Sequence, residues 1–182
     1  MHSDDLGSKG PSSLLSTYAT VLRLLRKHGV VRSFNNPVAD IAEWIVSKKL
    51  SLKLADKSAK AYDATDTENR TYQIKGRWRP GDNRSTQLGA IRDLDTAPFD
   101  FLVAVMFDSD FIVEYAAVIP VAVVQKKSTY VKRTNSSRFN FTRSILNEPG
   151  VLDITAELQV FPATEQEERQ LVALQASAAN NS

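Results

Sequence analysis

The chain has 182 residues, 42% hydrophobic and 24% charged, enough for one packed domain and too few for two ordinary ones. It has no cysteine and only two distant histidines, His2 and His28, which excludes disulfides and thiolate zinc sites and leaves oxygen atoms as the means of holding a metal such as Mg²⁺, Mn²⁺ or Ca²⁺. The net charge of +2 is segregated: residues 67–92 carry six cations against Glu68 and Asp82, residues 126–143 carry six more and no acid, and residues 93–125 carry six acids and no Lys or Arg, a distribution that suits a nucleic-acid-binding face or an ordinary solvated surface.

In chain order, residues 1–12 read as a flexible polar tail without the apolar core of a secretory signal. No stretch approaches the roughly 18 apolar residues of a membrane span, so the expected location is the cytoplasm. Residues 14–27 place apolar side chains at 14, 15, 18, 21, 22, 24 and 25, a helical stripe closed by Gly29. A second helix starts at Asn35-Asn36-Pro37 and runs to about Leu50, with Val38, Ile41, Ala42, Ile45 and Val46 as its buried stripe and Glu43 beside it. Residues 60–64 and 70–77 alternate around the polar turn 65–69, a β-hairpin. A loop over 78–85 and a helical turn over 86–92 follow. Residues 99–107 (FDFLVAVMF) are almost entirely apolar, as a strand buried on both faces requires. Residues 111–119 form the next strand, Pro120 opens a helix to about Lys127, and residues 128–143 are basic and irregular, with room for a short strand. Residues 141–147 suggest a helical turn and 164–176 a last helix. The order implies one domain over 13–177, with a frayed end at 178–182: an α/β fold with a central mixed sheet flanked by helices.

The chemistry concentrates on the hairpin. Residues two apart on a strand share a face, so Gln73 and Lys75 project together while Tyr72 and Ile74 point the other way. With Asp63 on the neighbouring strand, a carboxylate, an amide oxygen and an ammonium converge, which is what phosphodiester hydrolysis needs. Asp63, the Gln73 side-chain oxygen and the Ile74 carbonyl would hold Mg²⁺ or Mn²⁺, lowering the pKa of an attacking water. Lys75 would position that water and offset charge on the phosphate, and Glu43 would complete the metal shell or orient the water. Each residue also has a structural reading: Asp63 as a turn cap, Lys75 as an edge-strand solubility residue, and Glu43 as a solvated helix acid.

This arrangement, with Glu43 on a helix, Asp63 before a hairpin turn and Gln73-Ile74-Lys75 on the following strand, resembles the PD-(D/E)XK nuclease superfamily of restriction-endonuclease-like proteins, over roughly residues 36–120. The stretch VVRSFNNPVADIAEWI…SAKAYDATD…YQIKGR is similar to bacterial domains of unassigned function related to these nucleases. The resemblance implies an αβββαβ core and assigns Glu43 as the helix acid, Asp63 as the metal carboxylate, Gln73 in the place of the motif's acid and Lys75 as the catalytic lysine. Two positions depart from the pattern. Tyr62 stands where the motif has proline, and Gln73 replaces an anionic ligand by a neutral amide, which weakens attraction for a divalent cation.

Arg77, Arg79 and Arg84 follow on a Gly/Pro/Asn loop suited to phosphate contacts, and Lys132 and Arg133 sit in the second basic segment. Trp78 is placed either to stack on a base or to pack into a loop. Two functions therefore stand side by side: a metal-dependent DNA endonuclease of restriction or defence type, for which a symmetric homodimer would supply one site per strand, and a nuclease-shaped module that binds DNA or protein without turnover. A small α/β regulatory or interaction domain with only surface charges is the third reading.

Overall fold

The computed structural model describes residues 6–56 and 61–159. The expected helix over 164–176 and the frayed end at 178–182 lie outside the described residues. Helix α1 (Pro11–Lys27) begins inside the stretch read as tail and ends in a Schellman closure. Gly29 adopts φ +70°, its N–H donates to the Arg26 carbonyl at 3.0 Å, and the Val30 N–H reaches the Leu25 carbonyl at 2.9 Å. Its apolar stripe is mostly on the surface: Leu22 is buried, whereas Leu15 is 68% exposed and Leu14, Tyr18, Val21 and Leu24 are exposed with it.

Helix α2 (Val38–Lys49) starts where the Asn36 side chain accepts the Val38 N–H at 3.1 Å. It buries the stripe the periodicity predicts, with Ala42, Ile45 and Val46 inside and Val38 and Ile41 partly so. Each such aliphatic side chain, fully buried, contributes roughly 1.5–3 kcal/mol.

Six strands form one mixed sheet: β1 (Lys53–Leu54), β2 (Ala64–Thr65), β3 (Thr71–Trp78), β4 (Phe101–Phe107), β5 (Val113–Pro120) and β8 (Leu152–Asp153), in that spatial order. All neighbours are antiparallel except β3 and β4, which run parallel with Gln73 beside Leu102 and Lys75 beside Ala104. The β2–β3 hairpin pairs Ala64 with Tyr72 around a turn in which the Asp66 side chain accepts the N–H groups of Glu68 and Arg70. β6 (Thr129–Val131) and β7 (Ser136–Arg138) make a separate two-stranded ribbon within the basic segment, where the sequence left room for one short strand.

Two apolar layers sandwich the sheet. On one face Tyr72, Ile74, Val103, Val105 and Phe107 pack with α2 and with α4 (Thr155–Gln159), whose Leu158 is buried. On the other, Leu102, Ala104, Met106 and Tyr115 meet Leu88, Ile91, Phe139 and Phe141, along with Val124 of α3 (Val121–Lys127). α2 sits directly on β3 at Gly76, where an added Cβ would fall 2.8 Å from the Ala42 Cβ.

The connection from β3 to β4 differs from expectation. The expected helical turn over 86–92 is absent, and the 3₁₀ turn lies later, at Leu94–Thr96. Leu88 and Ile91 instead donate their N–H groups to the Phe139 and Ser137 carbonyls at 3.0 Å each. Backbone groups that bond to a partner almost fifty residues away are not available for a local helix. The αβββαβ order assigns this crossover to a helix, whereas here it is an irregular cover over the sheet. No helix among the described residues is long and apolar enough to cross a membrane.

Candidate functional site

β2 is only two residues long, so beyond Ala64 the edge of β3 loses its strand partner. Asp63 takes over: its carboxylate accepts the Ile74 N–H at 2.7 Å, while its own N–H donates to the Tyr72 carbonyl at 2.8 Å. The carboxylate is thus held at the edge of the sheet, where groups from both faces can reach it. From one face the Gln73 amide donates to the same Asp63 oxygen. From the other, α2 presents Glu43, and both carboxylates line one cleft of about 300 Å³. Asp63, Gln73 and Glu43 are therefore brought together, and Ile74 takes part through its N–H.

Lys75 lies two residues beyond Gln73 on the same face of β3, half-buried, with its Cδ running toward Gly89. It does not line the Glu43–Asp63 cleft. Among the described residues no carboxylate forms a salt bridge with Lys75.

The cleft has residues that the sequence reasoning missed. Its walls include Arg32, Asp40, Asp56 and Tyr62. Asp40 closes the loop before α2, accepting the Arg32 and Ser33 N–H groups at 2.9 and 2.8 Å and the Ser33 hydroxyl at 2.8 Å. The Arg32 guanidinium donates to Glu43 through Nη2 and to the Ala55 carbonyl through Nη1 at 3.1 Å. One signal for Arg32 was present in the sequence, since it is the single cation between residues 29 and 47, a stretch that also holds Asp40 and Glu43.

Among the described residues that line the cleft there are four carboxylates (Asp40, Glu43, Asp56, Asp63) and one guanidinium, that of Arg32. Burial pushes the Glu43 carboxyl above its ordinary range, against the lowering effect of the Arg32 hydrogen bond, and the charges of Asp63 and Asp40 add to the rise. Among the described residues no three His, Cys, Asp or Glu side chains are grouped to hold a metal. The centre offers two carboxylates, hard oxygen donors of the kind Mg²⁺ and Mn²⁺ prefer, and an amide whose nitrogen faces Asp63, so that its oxygen would reach an ion only after the amide turns over.

The cations named from the sequence are distributed over several places. Arg77 is half-buried on the Gln73–Lys75 face, and its Nε is buried without a hydrogen-bond partner among the described residues. Arg79 donates to Glu114, and with Arg84 it lines a separate shallow pocket that includes Asp108. Trp78 takes the packed alternative: its indole stacks on Phe111 with centroids 4.6 Å apart and donates to the Ser109 carbonyl at 3.1 Å. Lys132 and Arg133 lie exposed on the turn that joins β6 to β7.

Comparison with protein-family models finds no match to this chain, and none of the curated proteins matches it.

Proposed function

We propose that the protein is a metal-dependent nuclease that hydrolyses phosphodiester bonds in DNA. The observation that carries this reading is the meeting of Gln73 with Asp63 at the open edge of β3, beside a cleft that Asp63 shares with Glu43 and whose described lining is mostly acidic, with Lys75 on the adjoining surface of the same strand. An acidic cleft repels a phosphate on its own, whereas a divalent cation held by Asp63, Glu43 and the Gln73 oxygen would balance its charge and supply Lewis-acid activation of phosphate and water. The two carboxylates suit such an ion, and the Gln73 oxygen would join them once its amide turns over.

The chain's own residues then have defined tasks. Asp63 is fixed by the Ile74 N–H and anchors the centre. Glu43 would complete the shell of such an ion or orient the attacking water. Lys75 offsets charge growing on the phosphate as the water oxygen bonds to phosphorus and the ester oxygen leaves. Cutting both strands of a duplex at one place would take two copies of the chain.

The second reading is a nuclease-shaped binding module without turnover. It is favoured by Gln73, which donates to Asp63 in the place of an anionic ligand, and by Arg32, which occupies Glu43. Plasmid DNA incubated with Mg²⁺ or Mn²⁺ separates the two. Cutting that disappears in Asp63→Ala and Lys75→Ala supports the nuclease, salt-sensitive binding without cutting under either metal supports the module, and no binding at low salt overturns both.

A further inference from the structure

Arg32 stands in a position that the nuclease reading does not use. It is the one cation among the described residues that line the cleft, and it touches the carboxylate that a metal would also seek. Its backbone is pinned through the N–H to Asp40, whereas its guanidinium tip is held by Glu43 and the Ala55 carbonyl. The tip is also incompletely satisfied, since Nε is buried with no hydrogen-bond partner among the described residues. Nε and Nη2 form one edge of the guanidinium fork, the edge that receives two oxygens of a carboxylate or phosphate side by side. Glu43 takes only Nη2 and leaves Nε open.

We propose that Arg32 is a latch on Glu43 that competes with the divalent cation for it and, once displaced, grips the phosphate of the nucleic acid with the Nε–Nη2 edge. The inference rests on the metal-dependent reading above and adds to it a phosphate-binding residue and an order of loading. A guanidinium and a divalent cation on the same carboxylate repel each other, so arrival of one weakens the hold of the other. A phosphate offers the released guanidinium a two-point partner within the same cleft, which satisfies the Nε that Glu43 leaves unpaired. The substrate's phosphate and the metal would then favour each other's binding, because each removes an obstacle to the other.

Two measurements on the intact chain test this, neither of which needs turnover. The first is calorimetric titration with Mn²⁺ of the wild type, Arg32→Gln, Arg32→Ala and Glu43→Gln. Arg32→Gln keeps an amide that can bond Glu43 and Ala55, so it guards against a variant that merely fails to fold. Both Arg32 variants are expected to bind Mn²⁺ at least about tenfold tighter than the wild type, and Glu43→Gln weaker. The second is fluorescence anisotropy with a labelled DNA duplex, in Ca²⁺ and in EDTA. The Arg32 variants are expected to lose about tenfold in affinity in Ca²⁺ and little in EDTA, whereas a cation acting through general attraction would lose affinity in both. Folded Arg32 variants that bind Mn²⁺ no tighter than the wild type, or that keep full duplex affinity in Ca²⁺, overturn the latch while leaving the metal centre standing. A wild type that takes up no Mn²⁺ overturns the metal centre, and the latch with it.

Discussion

The Asp63 carboxylate accepts the Ile74 N–H at 2.7 Å, in the place where a longer β2 would have supplied a backbone carbonyl. Ile74 is buried, at 4% exposure, so this N–H has little access to water as a substitute. Asp63→Ala leaves the donor unpaired and should cost about 1–3 kcal/mol in urea denaturation. Asp63→Asn keeps an acceptor oxygen and should cost clearly less, while removing the charge needed for a cation. Equal destabilisation by the two substitutions would show that the Ile74 bond is not what Asp63 contributes to the fold. The Asn variant is thus the cleaner probe of chemistry.

The same pair shows how far the sequence could be read. Strand alternation predicts that Gln73 and Lys75 share a face, and the polar 65–69 turn predicts that Asp63 returns beside Gln73; both follow from local geometry that the chain alone dictates. The α2 stripe was legible for the same reason. Arg32 left only its isolated charge as a signal, because it reaches Glu43 by way of a loop folded back through Asp40, and no periodicity marks such a turn. The 86–92 segment misleads for a related reason: its three-residue apolar spacing mimics a helix, but its N–H groups are taken by residues 137–139, and long-range pairing leaves no local trace. On α1 the periodicity was real and its meaning was not, since an amphipathic stripe specifies a helix without specifying what covers it.

Gly76 is a close-approach glycine. A Cβ there would lie 2.8 Å from the Ala42 Cβ and 3.0 Å from the Val38 carbonyl oxygen, both on the rigid α2. Gly76→Ala should therefore destabilise by about 1–3 kcal/mol through overpacking, in contrast to Gly89→Ala, whose nearest neighbour is the flexible Lys75 side chain at 3.8 Å. Because the clash is with two atoms, Ala42→Gly should recover only part of the loss in a double-variant cycle. Full additivity of the two substitutions would mean that α2 does not rest on β3 at this point.

The Asp66 turn should make stability fall at both extremes of pH. Although burial acts to raise the Asp66 pKa, hydrogen bonds from Arg70, Tyr72 and the turn's backbone N–H groups outweigh it and hold the value down to about 2. A folded pKa below the unfolded value of about 3.9 gives stability that is present above pH 4 and lost as pH falls toward 2. Burial and the bond to Asp66 push Tyr72 up to about 12. That pKa is raised, so its contribution is complete below about pH 10 and lost as pH climbs to 12. Melting temperatures of the wild type should drop in both windows. Asp66→Asn should flatten the acid limb and Tyr72→Phe the alkaline one, and unchanged limbs in these variants would assign the effect to other groups.

The β6–β7 turn offers a separate test of the DNA reading. Lys132 and Arg133 are exposed at its tip, while the ribbon leads into Phe139 and Phe141, both fully buried, and the Tyr115 hydroxyl donates to the Phe141 carbonyl at 2.8 Å. The cations are thus held out on an anchored support and do not contribute to the core. Lys132→Gln and Arg133→Gln should change stability by less than about 0.5 kcal/mol. If each contacts a phosphate, each should lower the slope of log affinity against log salt by about one, across unrelated sequences. Phe141→Ala should cost about 3–5 kcal/mol, because it empties a packed core position beneath the same support. A salt slope unmoved by either glutamine variant would place this turn away from the nucleic acid and leave contact with the backbone to the residues nearer Asp63.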